Sequence, residues 1–71
     1  MSAIYSENST HRQNILNAER TRQAAVVAGA SQATVMAAEI TFYRSCLSSA
    51  ITNNCGATDF IMALWALGVK A

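Results

Sequence analysis

Proline is absent from the 71 residues, and glycine occurs only three times, at 29, 56 and 68. Without proline no helix is forced to stop, so α segments run until a glycine or a turn former ends them. Charge is also scarce, with charged residues making up 13% of the chain and a net charge of +1. A chain that captures nucleic acid through its phosphates carries a clear basic excess. Arg12, Arg20 and Arg22 do not share a helix face, and Glu19 stands among them, so a nucleic-acid partner is not expected. The single His11, the two cysteines Cys46 and Cys55, and the four scattered carboxylates offer no metal-ligand spacing and no paired acids. No glycine-rich phosphate loop is present either. These absences leave a chain expected to have no catalytic residue, metal, cofactor or small-molecule substrate.

Long apolar runs are missing as well. The most apolar stretch, Phe60 to Val69, spans about half of a bilayer core, so membrane insertion is not expected. Met1 to Thr10 is polar and lacks the basic and apolar regions of a cleavable signal peptide, which points to synthesis in the cytoplasm with reduced thiols. Disulfides are then not the device that stabilises so small a chain.

Hydrophobic residues, in contrast, make up 52% of the chain, although fourteen of them are alanine. Alanine favours helix but buries little area, and the larger side chains cluster between Val35 and Val69. A core built from them is lopsided. A single domain, 1–71, of this size ordinarily needs disulfides, a metal or partners. With the first two set aside, partners remain.

The expected class is all-α. Residues 1–8 read as an extended N-terminal arm carrying Ile4 and Tyr5. Thr10 with Gln13 has capping-box spacing and starts a helix over 10–28. A second helix over 31–52 shows Met36, Ile40, Tyr43, Leu47 and Ala50 at intervals of 4, 3, 4 and 3, the alternation of a packed seam. Between the two, Gly29 and Ser31 fit a helical hairpin as C′ and N-cap residues. One long bent helix through Gly29 is the alternative, since the seam's register continues backward across it. Ala25, Gly29, Ala33 and Ala37 fall four apart, which permits close backbone approach. Asn53 to Gly56 reads as a turn with Gly56 able to take positive φ. Thr58 and Asp59 then cap a short last helix over 58–67, stopped by Gly68.

That last helix carries the strongest functional signal. Phe60, Ile61, Met62, Leu64, Trp65, Leu67 and Val69 point nearly all round its axis. A surface helix on a small monomer keeps a polar face, and this one has none. One side is expected to dock on the Met36, Ile40, Tyr43 and Leu47 stripe through Phe60, Leu64 and Trp65, with Ile61 alongside, and the other on a neighbouring chain. His11 is expected at the surface or in a cap, Cys46 as a buried small hydrophobe, and Cys55 in a turn. The expected function is that of a non-enzymatic structural subunit of a large multi-copy assembly, incorporated through contacts with other protein subunits. Its most concrete form is a bacteriophage virion component, capsid-decorating, connecting or tail-associated. The other class that fits is a small helical adaptor that regulates one partner protein.

Overall fold

The computed structural model describes residues 8–70, and among these the chain forms three helices and no strand. They are α1 (Ser9–Val27), α2 (Gln32–Thr52) and α3 (Thr58–Ala66). The all-α class holds. The arm with Ile4 and Tyr5 lies outside the described residues.

Helix α1 starts earlier than the capping-box spacing suggests. Asn8 is the N-cap, with extended backbone, and its side chain accepts the amide of His11 at 2.9 Å. Thr10 and Gln13 are thereby drawn inside the helix, where Gln13 Nε2 donates to Asn17 Oδ1 at 3.1 Å instead. Asparagine serves here as well as a hydroxyl residue because its short side chain reaches the same orphan N–H groups.

All three helices end in the same way. The residue after each C-cap takes a left-handed conformation: Gly29 (φ 69), Asn54 (φ 55) and Gly68 (φ 82). In each case two crossed backbone bonds close the end. Gly29 N donates to Val26 O and Ala30 N to Ala25 O; Asn54 N donates to Ile51 O and Cys55 N to Ala50 O; Gly68 N donates to Trp65 O and Val69 N to Leu64 O. These are Schellman closures, which satisfy carbonyls that a helix otherwise leaves bare. At the second turn asparagine, not Gly56, occupies the left-handed position. Asn54 directly follows the C-cap Asn53, and the closure requires positive φ at that site.

The first closure also takes the chain out of helix over residues 28–31, so no continuous helix runs through Gly29. The small-residue series Ala25, Gly29, Ala33, Ala37 therefore straddles a turn and forms no single face. Ser31 then caps α2, its Oγ accepting the amide of Thr34 at 3.3 Å. Helix α3 has no such cap: Ala57 precedes it and makes no side-chain bond, while Thr58 is already helical. Ala57 is packed against the core cluster, so burial positions this start where a hydrogen bond does so elsewhere. Asp59 in the first turn suits the positive end of the helix dipole.

Helix α2 is the central element, packed by α1 and by α3. The core cluster is Ile15 from α1, Cys46 and Ala50 from α2, and Phe60 from α3, and Leu64 is fully buried as well. The packed line on α2 is thus rotated from the expected seam. Cys46, Ser49 and Ala50 are its buried residues, while Ile40, Tyr43 and Leu47 are half-buried and Met36 is exposed. The physical reason lies in side-chain size. Where two helices pack on a third over the same turns, small residues stand at the closest approach, and larger ones lie along the flanks.

Candidate functional site

The molecule presents three distinct surfaces: the outer side of α3, the end of the helix pair beside Gly29, and a polar groove between α1 and α2.

Helix α3 divides its apolar residues between two sides. Phe60 and Leu64 face inward and are buried, with Ile61, Ala63 and Leu67 half-buried beside them. Met62 and Trp65 point outward, 58% and 61% exposed. Met62, Trp65 and Ala66 follow helical spacing and form one exposed outer stripe with no polar residue in it, while the half-buried Val69 lies beyond the Gly68 closure. Trp65 therefore does not join the packing with Met36 and Ile40 that the seam suggests. Phe60 alone of the last helix sits in the cluster with Tyr43 and Leu47 at its edge. The difference follows from the length of α3: nine residues give two and a half turns, and only one side can reach α2.

At the opposite end of the pair, Val26, Val27 and Met36 are exposed, Val27 at 76%. Helix α3 packs on the far part of α2, against Cys46 and Ala50, so among the described residues no third element covers this end.

The groove is polar. Asn14, Asn17 and Thr21 of α1 face Thr41, Arg44, Ser45, Ser48, Ser49 and Thr52 of α2 across an open cavity of about 700 Å³. At its floor the first turn of α1 is tied to the last turns of α2. Asn14 Nδ2 donates to Ser49 Oγ at 2.9 Å, and Ser49 Oγ lies 2.8 Å from His11 Nδ1. Asn53 Nδ2 donates to the Ser49 carbonyl at 2.8 Å. The His11 amide takes part in the cap, in line with one half of the surface-or-cap expectation, but its side chain is completely buried, and its ring meets Phe60 edge-on with centroids 6.1 Å apart. Sequence did carry a signal for this. His11, Ile15, Ala18 and Arg22 repeat at helical spacing, and that stripe is the inward face of α1.

A serine hydroxyl beside a histidine nitrogen invites comparison with a nucleophile and its base. The surroundings do not support that chemistry. The second ring nitrogen, Nε2, meets no partner among the described residues, so none of their carboxylates orients the imidazole. Ser49 is itself buried and serves as acceptor for Asn14. The pair fastens one helix to another.

Two further groups complete the electrostatics. Arg22 is paired with Glu19 one turn earlier, one guanidinium nitrogen standing 3.2 Å from the carboxylate, and its guanidinium carbon lies 5.6 Å from the centre of the Phe42 ring. The hydrogen bonds that it donates to Glu19 hold that guanidinium all the more firmly protonated. Charge is thereby neutralised at the edge of the α1–α2 contact. Burial pushes the Cys46 thiol up to about 11, with the Glu19 charge adding to the effect. It remains a protonated, unreactive core group at neutral pH.

No family model, curated protein or solved structure matches this chain. No helix among the described residues is long and apolar enough to cross a membrane.

Proposed function

We propose that this chain is a non-enzymatic structural subunit of a multi-copy protein assembly, held in place by helix faces that pack on neighbouring subunits. The observation that carries this reading is the outer stripe of α3, where a tryptophan and a methionine are both more than half exposed on a helix with no polar side. Aromatic residues and methionine are enriched in the centres of protein interfaces, and tryptophan most often acts as an anchor there. On this reading α1 and α2 act together as a helical hairpin that presents α3. The N-terminal arm reaches an adjacent subunit through Ile4 and Tyr5. Met36 and the valines beside Gly29 supply a second, smaller contact. A bacteriophage virion component is the most concrete form of the proposal, since such particles use many copies of small subunits without chemistry of their own.

The test is to fractionate lysate from the cells that naturally make this chain on a density gradient, then quantify the chain across it by mass spectrometry. Co-migration with a large particle, at constant ratio to the particle's other proteins, is expected. Recovery only among the smallest species would overturn the proposal.

A further inference from the structure

We infer that the outer face of α3 binds a second copy of this chain, with the two α3 helices antiparallel about a two-fold axis near Leu64 and Trp65. The inference deepens the structural-subunit reading and rests on it for the use of the contact in an assembly. The contact itself is argued from the residues of α3.

The stripe of Met62, Trp65 and Ala66 is uncharged, and each end of the segment carries one charge of opposite sign. Asp59 lies in the first turn. Lys70 follows Gly68 and Val69, and the Val69 amide bonds back to Leu64 O, which keeps that end of the chain against the helix terminus. Both charged residues are exposed, and the one ion pair among the described residues joins Arg22 to Glu19 elsewhere. Set two such helices antiparallel, and Asp59 of each copy meets Lys70 of the other. The two Trp65 side chains then come together at the centre. Set them parallel, and like charges face each other at both ends. An acidic start, an apolar middle and a basic end are self-complementary only in the antiparallel sense, which is the arrangement that two-fold symmetry produces. The helix dipoles favour the same sense.

Size sets the strength. A contact confined to one helix of nine residues falls in the small class of interfaces, below about 1,200 Å² in total. Such a dimer is weak, with dissociation in the micromolar range or above, and gains avidity when other contacts in an assembly act with it.

The test is sedimentation equilibrium on the full chain over a roughly thousandfold range of concentration reaching about 1 mM, the range a weak contact requires. A reversible monomer–dimer equilibrium is expected. Trp65→Ala should raise the dissociation constant by about 30-fold or more. Circular dichroism and urea unfolding of that variant should match the parent, because the side chain is outside the core. Asp59→Lys and Lys70→Asp should each weaken the dimer, and the two together should restore it. A monomer at every concentration would overturn the inference, and so would a dimer indifferent to these charge reversals or to loss of Trp65. Neither result touches placement in a particle by other subunits, which the gradient experiment reads separately.

Discussion

His11 and Ser49 show how a few polar atoms hold a core that is short of large side chains. Ser49 Oγ serves His11 and Asn14 at once, across a separation of 38 residues from the histidine. Removing one member leaves its partner buried and unsatisfied, which costs more than the bond was worth. Ser49→Ala should therefore destabilise the chain by about 1–3 kcal/mol, read from the urea midpoint. His11→Leu combined with Ser49→Ala should recover part of that loss, and additive effects in the double variant would show that the two do not act as a pair. Cys46 offers a second residue-level prediction, in pH. Its thiol is raised from 9.0 to about 11 in the folded chain, so the folded state disfavours the thiolate. This contribution is intact below pH 9.0 and is lost as pH rises from 9.0 toward about 11, because the unfolded chain releases the proton first. The stability of the parent should fall over that window more steeply than that of Cys46→Ala, and parallel curves would exclude the effect.

At the scale of the elements, the helix ends carry the design. Each closes on a left-handed residue, and a Cβ added at Gly29 or Gly68 meets nothing within 4 Å. Any cost of substitution there is a matter of backbone strain alone. Gly29→Ala should lose about 1 kcal/mol or slightly more, while Asn54→Gly should be neutral or mildly stabilising because glycine enters the same conformation freely. Thermal unfolding of the two variants side by side distinguishes them. Equal loss in both would mean that Asn54 contributes through its side chain. The α-helices themselves were legible in the sequence, because periodicity and the scarcity of breakers are local properties. Their starts were less so. Asn8 displaced Thr10 as the cap, and Ala57 displaced the Thr58 and Asp59 pair, since which residue caps depends on where the helix is already held by packing.

For the molecule as a whole, α2 is the shared partner and the core lies toward one end. Ile15, Cys46, Ala50, Phe60 and Leu64 concentrate the burial there, while Val26, Val27 and Met36 leave the other end open. Burying a side chain such as Leu64 or Phe60 is worth about 1.5–3 kcal/mol each, so five such residues, two of them small, hold one end far more firmly than the other. Hydrogen exchange should report this gradient, with amides of residues 46–50 slowest and those of 26–36 fastest. Uniform protection along α2 would mean that the open end is covered, by another copy or by the arm.

Composition and periodicity alone determined the helical class, the break between Asn53 and Gly56, and the excess of apolar surface at the C-terminal helix, because each arises from a residue and its neighbours within a turn or two; whether Gly29 ends a helix or bends one was left to the structure. Tertiary structure decided which side of α2 is the inside. Of the expected seam only Ala50 is fully buried, with Cys46 and Ser49 beside it in place of Met36 to Leu47, because two helices converge on the same turns and small residues let them approach. It also decided that His11 is buried and Trp65 exposed, the reverse of what their polarity suggests. Neither outcome is local. His11 is buried because Ser49 and Phe60 arrive from other helices, and Trp65 is exposed because a helix of nine residues turns only one of its sides toward α2.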